Sequence, residues 1–128
     1  MAIRVVRLGS PRAAEEGLRL GTVRRPPRGV KKTELAARDF YDLWYPQLAP
    51  SEALLKQGLG ASTERAWSAF ARAYRREMAS PDNGRAIDLL AALSHQTSFS
   101  VGCYCVDEEH CHRSILRELL LERGAAVL

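Results

Sequence analysis

Phe99-Ser100-Val101-Gly102-Cys103-Tyr104-Cys105, followed after five residues by Cys111-His112-Arg113-Ser114-Ile115-Leu116, decides the fold class. In the first segment Phe99, Val101, Cys103 and Cys105 alternate with Ser100, Gly102 and Tyr104, the period of a β-strand with one apolar face. The second continues to Arg123 with Ile115, Leu116, Leu119 and Leu120 at helical spacing, and Gly124 supplies a stop. A strand that passes through a short loop into a helix points to an α/β layered fold.

The segments before it agree. Ile87, Leu90, Ala91 and Leu93 predict an amphipathic helix ending near His95, and Pro81-Asp82-Asn83-Gly84 ahead of it reads as a turn. From about Ser62 to Ala79, Trp67, Phe70, Ala71, Tyr74 and Met78 recur at i, i+3, i+4, i+7 and i+11, a core-facing stripe. Ser51 after Pro50 caps a short helix through Lys56 that Gly58 ends. Phe40-Tyr41-Asp42-Leu43-Trp44-Tyr45-Pro46 concentrates four aromatics and reads as a core contact. Ile3 to Leu8 and Leu18 to Val23 read as strands. The prolines of Arg24-Arg25-Pro26-Pro27-Arg28-Gly29-Val30-Lys31-Lys32 make that stretch an extended basic loop. The expectation is one α/β domain over residues 1–128, with a mainly parallel sheet flanked by helices.

A chain of 128 residues is long enough to bury a core without disulfides or metal. Its 46% hydrophobic and 27% charged content argues against disorder. No apolar run approaches the roughly 20 residues that cross a bilayer, and Met1-Ala2-Ile3-Arg4 opens no signal-peptide pattern, so a cytoplasmic protein with no membrane partner is expected. Three clustered cysteines do not make a secreted framework, and reduced thiols follow. The positive charge lies at the front, where residues 1–32 hold nine Arg and Lys against two Glu.

Ligands of open α/β sheets bind at the carboxyl ends of strands, which directs attention to the cysteine and histidine stretch. The first amides of a helix have no intrahelical partners and favour anions. Cys111, His112, Arg113 and Ser114, joined by Arg24, Arg28 and Lys31 of the basic loop, therefore make a candidate pocket for a phosphate-, nucleotide- or carboxylate-type ligand. The same helix start favours a thiolate, so a thiol-dependent enzyme is the alternative. It would use Cys105 or Cys111 as nucleophile, His112 or His110 as base and Arg113 to stabilise the anion. Asp107-Glu108-Glu109 oppose both readings by charge and also suit a helix start.

Cys103 and Cys105 share a strand face with β-carbons roughly 6 to 7 Å apart, too far for a mutual disulfide. Cys111 can approach one of them as a redox partner, and either strand cysteine can equally be a small core residue. Cys103, Cys105, His110, Cys111 and His112 are donors that zinc accepts, but no C-x2-C knuckle occurs, and neither metal nor cofactor is expected. His110-Cys111 and Arg117 match a bare H-C-x5-R phosphatase pattern, yet the interior reads as helix, not as a phosphate cradle. A nucleic-acid surface is the third functional reading, carried by Arg24 to Lys32 alone.

Cys103-Tyr104-Cys105 followed by Cys111-His112-Arg113 resembles the signature of the domain of unknown function 488, a family that includes YeaO-like proteins. Pro27-Arg28-Gly29-Val30-Lys31-Lys32-Thr33-Glu34-Leu35 resembles that family's front segment, and Leu48-Ala49-Pro50-Ser51 with Trp67 through Tyr74 its middle. Pro26 stands where those proteins typically carry tryptophan, and Val23-Arg24 where they carry Asp-Arg. Cys-His-Arg is characteristic of another branch. The resemblance implies a small α/β protein of bacteria or archaea and leaves its activity open.

Overall fold

A computed structural model describes residues 1–105 and 110–128. Its four strands are β1 (Ile3–Arg7), β2 (Leu18–Gly21), β3 (Leu43–Trp44) and β4 (Phe99–Cys103), and its helices are α1 (Glu52–Leu59), α2 (Glu64–Met78), α3 (Pro81–Leu93) and α4 (His112–Glu122). The strands form one sheet in the order β1-β4-β2-β3, with every pairing parallel. The α/β class and the parallel sheet expected from sequence are both present. None of the described helices is long and apolar enough to cross a membrane.

The central strand has the apolar face its alternation marks. All five residues of β4 are buried, those of the Ser100 and Gly102 side included. Phe99 and Val101 join Ile3 and Leu20 in a cluster with Leu54, Phe70, Tyr74, Ile87, Leu90, Leu116 and Leu120 from all four helices. Each fully buried Leu, Ile or Phe contributes about 1.5–3 kcal/mol. The opposite face is closed by loops: Ser100 Oγ donates to Glu16 at 2.6 Å, and Arg19 reaches the Ser10 and Asp39 carbonyls at 2.9 and 2.7 Å. Helices therefore cover one face, and a buried ion pair with its loops covers the other.

Three local expectations need correction. Pro81-Asp82-Asn83-Gly84 is the first turn of α3, because Ser80 caps it by accepting from the Asn83 amide and proline is favoured at the first helical position. Gly58 does not end α1, which runs to Leu59; a β-carbon there would come within 2.6 Å of Phe70 Cε2, so glycine serves close helix packing. The aromatic run is only partly core. Tyr41 is 3% exposed, whereas Leu43 and Trp44 form a short edge strand at 50% and 42% exposure. At the far end, Gly124 at φ +78 stops α4 as expected.

Candidate functional site

At the carboxyl edge of the sheet lies a cleft of about 440 Å³. The chain leaving β2 supplies Val23 to Arg28, the end of β4 supplies Cys103, Tyr104 and Cys105, and His112 enters from the start of α4. Pro50, Leu55 and Leu59 complete the lining and make much of it apolar. The basic loop and the cysteine-histidine stretch, far apart in sequence, thus share one cavity.

His112 is buried, with its ring 5.5 Å from that of Tyr74. Its Nε2 lies 2.7 Å from the Thr22 carbonyl oxygen. A carbonyl only accepts, so the network assigns the proton to Nε2 and leaves the Nδ1 lone pair available. Nδ1 is 3.8 Å from Cys111 Sγ. Burial pushes this imidazole down to about 4, the Thr22 bond offsetting part of the effect and the Arg113 charge adding to it. His112 is therefore neutral at neutral pH.

Cys103 and Cys111 are 1% and 2% exposed and are paired as a disulfide, with their Cα atoms 7.8 Å apart. Arg113, 4% exposed, lies against this pair. Its Nη1 is 3.2 Å from the Val6 carbonyl oxygen, 3.4 Å from that of Cys103 and 3.8 Å from Cys103 Sγ. Among the described residues the buried Nε has no hydrogen-bond partner. Among them, too, no carboxylate pairs with Arg113, so the Cys103 sulfur, once the pair is reduced, is its only contact there able to carry negative charge. An unpaired buried cation is costly, and a thiolate at Cys103 would compensate it.

A family model described as the active DUF488-N3 subclade matches residues 3–124. The chain belongs to the DUF488 family. No curated protein and no solved structure matches it. The family match includes every residue lining the cleft of this DUF488 chain.

The sequence candidates separate in space. Arg24, Arg28, Cys105 and His112 line the cleft, Cys105 and Arg28 being exposed. Arg24 donates to the Pro50, Ala49 and Pro46 carbonyls and is half-buried, and Arg25 pairs with Glu52. Much of the basic loop's donor capacity is thus used in holding the loop, which leaves Arg28 as the cation best placed to meet a ligand. Lys31 is exposed and does not line the cleft. Ser114 Oγ donates to the Cys111 carbonyl at 2.8 Å, a local helix-start bond. His110 turns to α2, with Nε2 3.3 Å from Glu64 Oε1 and its ring 5.3 Å from that of Trp67. The acidic run Asp107 to Glu109 lies outside the described residues.

Sequence reasoning passed over Thr22, which acts through its carbonyl and so leaves no side-chain signal. It also passed over Leu55 and Leu59, which read only as helix residues. A second hollow beside Arg24, Ser51, Glu77 and Asn83 holds less chemistry: Glu77 already accepts from the Ser51 amide and hydroxyl, and Asn83 is bonded to Gln47.

Proposed function

We propose that this DUF488 protein is a thiol-dependent enzyme that acts on a small organic anion held in the carboxyl-edge cleft. The observation that carries the reading is the buried Arg113 guanidinium, whose one contact able to compensate its charge among the described residues is Cys103 Sγ in the reduced protein. A cation beside a sulfur favours the thiolate, the reactive form. His112 Nδ1, held as a lone-pair acceptor by the Thr22 bond, faces the Cys111 sulfur, and burial keeps the ring neutral beside it. An apolar ligand body fits Pro27, Pro50, Leu55 and Leu59, and its charged end fits Arg28. The description of the matched family model as an active subclade is in keeping with a chemical role.

Two alkylating reagents that differ mainly in charge test this. In reduced, metal-free protein at low ionic strength, iodoacetate is expected to label Cys103 faster than iodoacetamide, as mapped by peptide mass spectrometry. Arg28→Ala should remove the preference. A Cys103 that reacts with neither reagent at neutral pH, or that prefers the neutral one, contradicts the reading.

A further inference from the structure

Cys103 Sγ, Cys111 Sγ and a ring nitrogen of His112 lie within 4.8 Å of one another, and all three residues are buried. We propose that they form a zinc(II) site whose fourth coordination position opens on the cleft, a proposal that rests on the reading above for the cleft as the place where the ligand is held. Zinc binds thiolate and imidazole together, and three protein ligands with one open position is its catalytic arrangement. Hard cations such as magnesium and calcium prefer oxygen and fit this donor set poorly.

The backbone separation favours an ion between the sulfurs. A Cα distance of 7.8 Å exceeds the usual disulfide range of about 4.4–6.8 Å, so the backbone holds the pair further apart than a disulfide usually does. With sulfur near 2.3 Å and nitrogen near 2.0–2.1 Å, a tetrahedral ion spaces its ligands by roughly 3.5–3.8 Å. The sulfurs of the reduced pair would take up that spacing by rotating the cysteine side chains apart. The support around the ligands also fits, because a metal-bound histidine usually donates its other N–H to a carbonyl or carboxylate. Here Nε2–H is committed to Thr22, which orients Nδ1 toward Cys111.

Charge balance extends the argument to the ligand. In the reduced protein zinc binds both sulfurs as thiolates, any thiol proton passing to solvent, and two thiolates with a neutral imidazole then cancel its charge. Arg113, against Cys103, leaves the cluster with one net positive charge. Cys103 and His112 both face the cleft, so an anion entering there meets the open position. Sequence spacing cannot reveal such a site, because its ligands come from a strand end and a helix start and not from one knuckle.

The test is zinc content after expression with zinc, reducing purification and dialysis against metal-free buffer. About one zinc per chain is expected, falling at least tenfold in Cys103→Ser and in His112→Ala and staying at the wild-type level in Arg28→Ala. Because those variants lose buried groups, unmodified protein stripped with chelator is also titrated with cobalt(II), and a sulfur-to-cobalt charge-transfer band should appear at one equivalent. Zinc-free protein whose mass is lower by two hydrogens would show a disulfide in its place. Zinc-free protein with titratable thiols and no cobalt band would overturn the site equally. Zinc content decides this inference and the iodoacetate preference of chelated protein decides the thiolate enzyme, so either can fail alone.

Discussion

Arg19 and Arg113 are both buried cations, 0% and 4% exposed, but their surroundings differ. Arg19 Nε and Nη2 donate to the two Glu16 oxygens at 2.7 and 3.0 Å, and Nη1 donates to two loop carbonyls. Glu16 in turn accepts from Ser100 Oγ and the Ala13 amide. Among the described residues Arg113 has two carbonyls, a sulfur and an Nε with no partner. The completed arrangement fastens loops over a sheet face. The incomplete one sits beside the cleft, where a missing countercharge is an opportunity for chemistry.

Removing the carboxylate should produce the largest effect. Glu16→Gln leaves Arg19 buried without its countercharge and should cost about 3–5 kcal/mol in denaturant unfolding. The native pair also predicts acid sensitivity. Desolvation raises the Glu16 carboxyl, but hydrogen bonds from Arg19, Ser100 and Ala13 outweigh it and hold the group at about 2, below its ordinary 4.5. Its contribution is therefore complete above pH 4.5 and is lost as pH falls toward 2, a change of roughly 3 kcal/mol. A wild-type acid limb that persists in Glu16→Gln would assign that loss to other groups.

Arg113→Met should change stability by no more than about 1.5 kcal/mol, since an apolar side chain of similar length can replace an incompletely paired buried charge. A loss as large as that of Glu16→Gln would make Arg113 a second structural tie and remove the contrast. The smallest effect is expected at the surface. Arg75 bridges Glu118 and Glu122 at 2.7 and 3.0 Å with exposed partners, and Glu118→Ala should cost under about 0.5 kcal/mol in the same assay.

The two arginines also mark what sequence can tell. The fold was legible because β4 and α4 carry their periodicities openly and each element covers a layer. Part of the cleft lining was legible as well, since Cys103, Cys105 and His112 sit at a strand end and a helix start. Partners were not. Nothing local in Arg113 distinguishes a side chain reaching a ligand from one lying buried against Cys103, and nothing local in Thr22 announces a carbonyl that fixes a histidine tautomer. Glu16 and Arg19 looked like an ordinary polar loop and strand residue because Ser100, which joins them, lies far along the chain. The predicted turn at Pro81 failed for a local reason, since Ser-Pro-Asp-Asn fits a capped helix start as well as a turn.

The most direct test of the Arg113 half of the comparison is the pH dependence of Cys103 alkylation in reduced, metal-free protein, beside the same curve for Arg113→Met. The predicted result is a midpoint that moves up when the guanidinium is removed. The same midpoint in both proteins would contradict the account, because the buried guanidinium would then be favouring no thiolate.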